Sequence, residues 1–256
     1  TYDNKLIIIN SSFELLFNKL SRFEILKHNK KFKIPITITI EDVKNIYLKE
    51  KHEIIPKIIH TNHVVGIING LWANNMGMGG IIPIEAFYYP SNTFMEFKLT
   101  GLQGDVMKES MNVAKTLAWK LTSQKQRDKL IKNFNKTKLQ GIHIHCPEGS
   151  IKKDGPSAGT AITIALFSLL NNKKIKHNLA ITGEMSLQGK VTIIGGLELK
   201  ILGGIKAGIK HFLFPKQNLK DYNKIIEKYK DKDVIPEDIS FKSVETIEEV
   251  LKLVFV

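Results

Sequence analysis

The sequence predicts an α+β (mixed α/β) domain, preceded by a short and mostly helical segment. Two patterns support this prediction. From about residue 60 onwards, short runs of β-branched residues alternate with glycine turns and with longer runs whose apolar residues recur at helical spacing. Apolar residues make up 43% of the 256 residues, which is enough to bury a core of ordinary size.

The first segment, residues 1–55, is rich in lysine and carries no chemistry of its own. Apolar residues between Phe13 and Leu20 recur at helical spacing and predict an amphipathic helix, and alternating isoleucines predict a short strand at 34–40. The change of pattern between about residues 50 and 60 predicts a boundary there. We therefore expect the main domain to comprise residues 56–256.

The main domain is expected to alternate strands with helices. The stretch between Leu121 and Lys138 is polar and rich in Lys and Asn, and no element is predicted for it. A hairpin is predicted around Gly189 and a flexible turn at Gly77–Gly80. Helices are predicted at 106–121, 157–170 and 197–208, and strands at 64–68, 81–86, 94–99, 141–146, 179–181 and 211–214.

The composition excludes several classes of protein. A single cysteine, Cys146, excludes an intramolecular disulfide framework and favours a reducing compartment. No membrane partner is expected, because the longest apolar stretch, about Ala161 to Leu170, is too short to cross a bilayer. The chain begins at Thr1 without an initiator Met or a signal sequence, as we expect of a fragment.

The formal charge of +13 is compatible with weak binding to DNA. Only Arg22 and Arg127 are arginines, however, and arginine is the side chain that usually reads phosphate and guanine in a bidentate manner. A lysine-rich chain of this kind is also what compositional drift would produce. Nucleic-acid binding is therefore not expected to be the main function.

Ser157 lies at the predicted N-terminus of the apolar helix 157–170. Asp154 or Gly155 can cap that helix, and Pro156 suits its first turn, where no backbone donor is needed. Backbone N–H groups without acceptors, together with the positive end of the helix dipole, would stabilise an oxyanion forming beside a serine hydroxyl. A serine is also simply a common residue in a first helical turn, so the position alone does not identify a nucleophile.

A serine nucleophile needs a base, and two kinds of candidate remain open. His143 and His145 alternate on one face of the strand before the loop. Lys200 borders the apolar stripe of the helix 197–208, and a lysine kept partly out of water could be neutral near pH 7 to 8, about three units below a solvated amine. Lysines at such positions usually extend to solvent instead.

The sequence supports metal catalysis and cysteine chemistry less well than a serine nucleophile. His60 and His63 are spaced like metal ligands, as are His143 and His145, but no nearby carboxylate cluster completes a set of four ligands. Cys146 precedes a proline at a strand end and is expected to be a buried apolar side chain rather than a nucleophile.

A series of short motifs runs in a fixed order between about residues 62 and 256. Its members are Gly70-Leu71-Trp72-Ala73, Ile84-Glu85-Ala86, Leu99-Thr100-Gly101, Gly104 to Ser110, Pro147-Glu148-Gly149, Lys153 to Gly159, Thr182-Gly183-Glu184, Gly195-Gly196-Leu197 with Lys200, Ala207 to Lys210, and Phe214 to Asn218. Each motif is weak alone, but the ordered set is specific, and it resembles the Lon protease family.

The resemblance implies a Lon-type Ser-Lys peptidase domain at residues 56–256. By position, Ser157 would be the nucleophile and Lys200 the general base, with the Thr182 hydroxyl holding the lysine amine. Asp154 corresponds to the acid of the family's loop, which we interpret as shaping the helix entrance. Glu85 matches a polar position in the Ile-Glu-Ala motif without a defined role.

The resemblance also implies parts that this chain does not contain. The family's ATPase carries a glycine-rich loop ending in Gly-Lys-Thr or Gly-Lys-Ser, and no such motif occurs here. Residues 1–55 resemble the tail of the ATPase helical subdomain, so no cofactor is expected in this fragment, while ATP and Mg²⁺ are expected for the absent module.

The function implied is that of a serine endopeptidase, the proteolytic part of an ATP-dependent protease that degrades unfolded or damaged proteins. The expected partners are those substrates and, in the full-length protein, further copies forming a homohexamer. The expected compartment is the cytoplasm or the mitochondrial matrix. Two alternatives are a catalytically silent interaction or DNA-binding module and a related peptidase that works without ATP.

Overall fold

The computed structural model describes residues 59–75, 77–147, 154–230 and 232–256. The helix and the strand predicted within residues 1–55 lie outside the described residues. The boundary between the two segments stays a prediction for the same reason.

Most strands of the described part belong to one sheet. Gly66, with φ of +78°, separates the first two strands, which the sequence predicted as one. In chain order the strands are β1 (Val64–Val65), β2 (Ile67–Ala73), β3 (Gly79–Tyr89), β4 (Phe97–Thr100), β5 (Gly141–His145), β6 (Lys174–Ile175), β7 (Leu179–Ile181), β8 (Glu184–Met185), β9 (Val191–Thr192), β10 (His211–Pro215) and β11 (Ser240–Val244).

Six α-helices surround this sheet in the part of the chain that the structure describes. They are α1 (Asp105–Leu121), α2 (Gln124–Thr137), α3 (Gly159–Asn171), α4 (Leu197–Lys206), α5 (Leu219–Tyr229) and α6 (Ile247–Val254). Short 3-10 helices precede α3 at Pro156–Ala158 and α5 at Lys216–Asn218.

The main sheet has seven strands in the order β11-β10-β7-β2-β3-β5-β4. Strands β11, β10, β7 and β2 run parallel, β3 is antiparallel to both of its neighbours, and β4 is parallel to β5. Two-stranded pairs form between β1 and β6 and between β8 and β9. The mixed sheet with helices confirms the predicted α+β class.

Apolar residues cover both faces of the sheet, because side chains along a strand alternate between faces. Ile82 and Ile84 belong to the larger cluster, which α1, α3 and α6 complete. Ile81 and Leu71 belong to a second cluster, which α4 and α5 complete. The sheet therefore separates two helical layers, with α3 on one side and the lysine-bearing α4 on the other.

The sequence patterns located most elements between residues 64 and 214 within a few residues, but α2 was missed, and no element was predicted after residue 214, where α5, β11 and α6 follow. Ser123 caps this helix by accepting a hydrogen bond from the Gln126 N–H. Leu130 and Phe134 are its buried residues, so its apolar face is narrow and its many lysines hide the period. A serine followed by a charged helical run was the signal that could have identified it.

The predicted flexible turn around Gly79 and Gly80 is wrong for those two residues, which begin β3. A Cβ on Gly79 would lie 2.1 Å from the Leu199 carbonyl oxygen, and one on Gly203 would lie 2.1 Å from the Gly79 carbonyl carbon. The two glycines thus let the backbones of α4 and β3 touch. This contact fixes α4, and the Lys200 that it carries, close against the sheet.

Candidate active site

Ser157 lies in the short 3-10 turn that leads into α3. The Gly159 N–H donates a hydrogen bond to the Pro156 carbonyl and so closes this turn. The first N–H groups of a helical turn lack acceptors within it and lie at the positive end of its dipole, and the Ser157 N–H occupies such a position. The Ser157 side chain is half-buried. The predicted position at a helix start is confirmed, and the donors suit a developing oxyanion.

The backbone of Ser157 is tied to the loop after β7. Its carbonyl accepts hydrogen bonds from the Gly183 N–H at 2.9 Å and from the Thr182 hydroxyl at 3.3 Å. The Gly183 carbonyl in turn accepts from both the N–H and the hydroxyl of Thr160. A Cβ on Gly183 would lie 2.5 Å from a Val191 methyl carbon, so only glycine fits. These contacts fix the direction of the serine turn.

Lys200 is buried within the α4 layer, with only 4% of its surface exposed. Its Nζ donates a hydrogen bond to Thr182 Oγ1 at 3.2 Å. Burial lowers the pKa of Lys200 from 10.5 to about 8, because the charged amine loses its hydration. About a tenth of the amines would be neutral at pH 7 and half at pH 8. A lysine in this state can accept a proton.

Thr182 joins the two candidate residues. It is fully buried just after β7, where its N–H donates to the Leu213 carbonyl. Its hydroxyl accepts from Lys200 Nζ and donates to the Ser157 carbonyl, so two hydrogen bonds connect the lysine amine to the serine backbone. Within the described contacts no hydrogen bond joins Ser157 Oγ directly to Lys200 Nζ. Such bonds often tighten only when substrate is bound.

Comparison with known proteins identifies the family of the chain. The family model of the Lon protease (S16) C-terminal proteolytic domain matches residues 37–256 of the sequence. The chain belongs to the Lon protease family. It carries a serine protease domain of that family.

Curated proteins of this family are similar to the chain over most of its length. The Lon protease homolog of Acanthamoeba polyphaga mimivirus is 36% identical over 230 residues, which is 87% of this chain and 22% of that protein. The Lon protease of Treponema pallidum is 43% identical over 192 residues, covering 75% of this chain and 20% of that protein. The chain thus spans about a fifth of the length of these curated relatives.

Asp154 lies between the serine turn and α1. It is exposed, and its Oδ1 accepts from the Met107 N–H at 3.3 Å in the first turn of α1. A Cβ on Gly104 would lie 2.2 Å from the Asp154 carboxyl carbon. Of the two residues that the sequence offered as the cap before Ser157, Asp154 or Gly155, Gly155 occupies that position, and the Asp154 carboxylate instead caps α1. It joins the Lon-type loop to a neighbouring helix.

Glu85 lies apart from the proposed dyad. It is half-buried on β3, opposite Ile67 and His145 on the adjacent strands. The strand register puts Thr182 level with Ile81, four residues away, which is about 14 Å along the strand. The structure therefore does not bring Glu85 to the lysine.

The two histidines of β5 are engaged elsewhere. Thr100 Oγ1 lies 2.9 Å from His143 Nε2 and 2.7 Å from His145 Nδ1. Burial, with Lys98 and the neighbouring histidine, lowers the pKa of His143. Neither histidine is hydrogen-bonded to Ser157 among the described residues. Lys200, by contrast, is connected to the serine turn through Thr182.

The remaining candidates do not assemble a site. His63 contacts His177, with their Nδ1 atoms 3.2 Å apart, and burial lowers the pKa of His60. Among the described residues, no group of three or more potential metal ligands is placed to hold an ion. Cys146 is fully buried, as expected. Within the same residues, no helix has the length and apolar character required to span a membrane.

Two contributions to the site had not been assigned from the sequence. Gly183 belongs to a motif that marked the family, but its N–H contact to Ser157 depends on chain segments that meet only in the fold. Asn218 closes another such motif and is fully buried beside the segment that leads into α4. The sequence signal that could have identified Asn218 is a polar residue shortly after an apolar strand.

The buried amine should reduce the stability of the domain. A pKa lowered from 10.5 to about 8 corresponds to about 3 kcal/mol. The hydrogen bond to Thr182 offsets about 1 kcal/mol. Lys200→Met is therefore expected to stabilise the domain by about 2 kcal/mol near pH 7, or roughly 4–8 °C in Tm.

The stability difference between Lys200→Met and the unmodified chain should depend on pH. Between about pH 8 and 10.5 the unfolded chain holds a proton on Lys200 that the folded chain has released, so stability of the unmodified chain rises with pH. The advantage of Lys200→Met should be full below about pH 8 and vanish above about 10.5. Thermal unfolding across this range measures it, with Lys206→Met at an exposed position of α4 as the control. A lower Tm for Lys200→Met near pH 7 would contradict the expectation.

Proposed function

We propose that this chain is the proteolytic part of an ATP-dependent Lon protease and that it cleaves peptide bonds with a dyad of Ser157 and Lys200. The observation that carries the proposal is the buried Lys200, whose amine is 3.2 Å from Thr182 Oγ1 and whose pKa is lowered to about 8. Among the described residues Lys200 has no acidic partner, and a buried lysine in that state is costly. Such groups cluster at functional sites.

The proposed reaction is acyl transfer. The neutral amine of Lys200 takes the proton from the Ser157 hydroxyl, and the serine oxygen attacks the carbonyl carbon of a peptide bond. The N–H groups at the start of the turn stabilise the oxyanion of the tetrahedral intermediate. The protonated lysine gives its proton to the leaving amine as the C–N bond breaks. It then accepts a proton from the water that hydrolyses the acyl-enzyme.

Thr182 and Gly183 support this sequence of steps. The Thr182 hydroxyl accepts a hydrogen bond from the amine and so aims it at the serine turn. The Gly183 N–H holds the Ser157 carbonyl, so the serine turn keeps its direction while the acyl group forms and leaves. Both act by positioning, since neither group exchanges a proton with the substrate.

Covalent labelling of Ser157 tests the proposal. A fluorophosphonate should label Ser157, and the rate should rise through a basic limb with a midpoint near pH 8, reporting deprotonation of Lys200. Peptide mapping by mass spectrometry locates the label, and Ser157→Ala provides the control. A rate that rises near pH 6.5 and is flat above it would indicate a histidine base instead.

The properties of the whole protein are further proposals. We infer that ATP and Mg²⁺ act in an ATPase module on the longer protein, that unfolded or damaged proteins are its substrates, and that six copies assemble in a ring. The cytoplasm or the mitochondrial matrix is the proposed compartment. Two findings support these inferences. The chain belongs to the Lon family, and it is similar to about a fifth of the length of a much longer Lon protease.

Weak DNA binding is a second candidate property, and α2 favours it. Its lysines at helical spacing form an exposed row without ion-pair partners among the described residues, at Lys125, Lys129, Lys132 and Lys136. Such a row can neutralise phosphates. A filter-binding assay with duplex DNA would detect it, and an affinity that does not fall with added salt would exclude this surface.

A further inference from the structure

Asn218 is a fully buried polar residue just before α5, and its side chain uses most of its hydrogen-bonding capacity. Its Oδ1 accepts from the Ile194 N–H at 3.0 Å, and its Nδ2 donates to the Ile194 carbonyl at 2.9 Å and to Asp221 Oδ2 at 2.9 Å. The carboxamide thus pairs with both backbone groups of one residue, as a neighbouring strand would. The adjacent Gln217 accepts from the Ile193 N–H.

The residue that Asn218 holds stands directly before the lysine-bearing helix. Ile194 is buried in the same apolar cluster as Leu197 and Ile201 of α4. Only Gly195 and Gly196 lie between this anchored residue and the helix. Anchoring Ile194 therefore fixes the point from which α4 starts.

The two glycines make this connection intrinsically loose. Gly196 is the N-cap of α4 and has φ of +69°, while no atom lies within 4 Å of where a Cβ on Gly195 would be. Glycine has the widest conformational freedom of all residues, so these two positions do not constrain the helix start by themselves. Asn218 supplies a constraint through its two hydrogen bonds to Ile194, the residue directly before the glycines.

Lys200 lies in the first turn of α4, shortly after these two glycines. Its N–H donates to the Gly196 carbonyl at 3.1 Å, which is the hydrogen bond that begins the helix. Leu199 and Gly203 both pack closely against Gly79 of β3, so α4 also contacts the sheet beside Lys200 and further along. A shift at Ile194 would turn the start of α4 about these contacts and change the direction of the Lys200 side chain relative to Thr182 Oγ1.

We propose that Asn218 is a positioning residue that holds Ile194 and thereby keeps Lys200 buried beside Thr182. The inference rests on the proposed role of Lys200 as the base, but it concerns the geometry of the lysine and can be tested without peptidase activity. Loss of the anchor should admit water to the amine. Its pKa would then return towards 10.5, the value of a solvated lysine.

The test uses Asn218→Asp and Asn218→Ala. Aspartate keeps the size and the Oδ1 acceptor but places a second oxygen against the Ile194 carbonyl and Asp221, while alanine removes all three hydrogen bonds. Asn223→Asp and Asn223→Ala make the same chemical changes at an exposed position of α5 and serve as controls. Circular dichroism verifies that each variant is folded.

The primary readout is the pH profile of Lys200 acetylation by trace acetic anhydride, quantified by mass spectrometry. The midpoint should move upward by about one unit in both Asn218 variants, with labelling of Ser157 near pH 8 falling about fivefold, and should not move in the Asn223 variants. A folded Asn218 variant with an unchanged midpoint would overturn the proposal, even if its Tm were lower.

The two proposals fail in different ways. If Ser157 resists fluorophosphonate in the unmodified chain but the acetylation midpoint shifts in the Asn218 variants, the proposed function fails and the positioning role stands. If Ser157 is labelled with a basic limb that neither Asn218 variant changes, the function stands and the positioning role is wrong. Should Asn218→Ala not fold, Asn218→Asp decides between these outcomes by itself.

Discussion

Replacing Lys200 by arginine is expected to reduce peptide cleavage by at least about 10⁴-fold, and Ser157→Ala should have a comparable effect. The guanidinium group stays protonated throughout the working pH range, so it cannot accept the serine proton. Removing either member of a unit that acts jointly removes nearly the whole contribution of that unit, about 10⁴ to 10⁶ in kcat for a serine protease. The fold should persist in both variants.

The measurement is hydrolysis of a short fluorogenic peptide at matched protein concentration. Lys206→Arg makes the same change at an exposed position of the same helix and should retain full activity. His143→Gln should also retain most activity, since that histidine is hydrogen-bonded to Thr100 rather than to the serine turn. Activity that survives Lys200→Arg but disappears in His143→Gln would refute the dyad.

The second large effect concerns the substrate. This chain should cleave an unfolded polypeptide slowly and leave a stably folded protein intact, whether or not ATP is added. A folded substrate exposes a cleavable segment only after unfolding, which costs about 5–15 kcal/mol and reduces the accessible population by a factor of about 10⁴ or more. The sequence of this chain contains no phosphate-binding loop that could couple ATP to that work.

A matched pair of substrates makes this comparison direct. A stable domain and its permanently unfolded variant, which differ by one core substitution, should be incubated with the chain in the presence and absence of ATP and Mg²⁺. Degradation of the folded form that depends on ATP would reveal a nucleotide site in this chain. Persistence of the unfolded form at high protein concentration would favour the silent-module alternative.

The sequence was sufficient for the fold class and for the neighbourhood of Ser157. Short apolar strands, glycine turns and the apolar helix after Pro156 are local patterns, and local patterns set the helix start. The ordered motifs identified the family. The depressed pKa of Lys200 could not be derived locally, because the 4% exposure of its side chain depends on how α4 packs on the sheet.

The errors at Asp154 and Gly79 share one physical cause, which is contact between distant segments. Asp154 had a helix immediately after it in the sequence, yet its carboxylate caps α1, which lies 47 residues away. Gly79 was interpreted as a source of flexibility, whereas its missing side chain lets α4 approach. No period or propensity within one segment carries that information. Such contacts become visible only when the strand order is known.

Helix α3 anchors Ser157, the proposed nucleophile, to the core of the domain. Every residue from Gly159 to Leu170 is buried, and the serine turn continues directly into this helix. The first turn cannot loosen far without exposing the largest apolar cluster, so opening there should require the free energy of global unfolding. Labelling of Ser157, the proposed nucleophile, should therefore measure the fraction of folded chains in a sample.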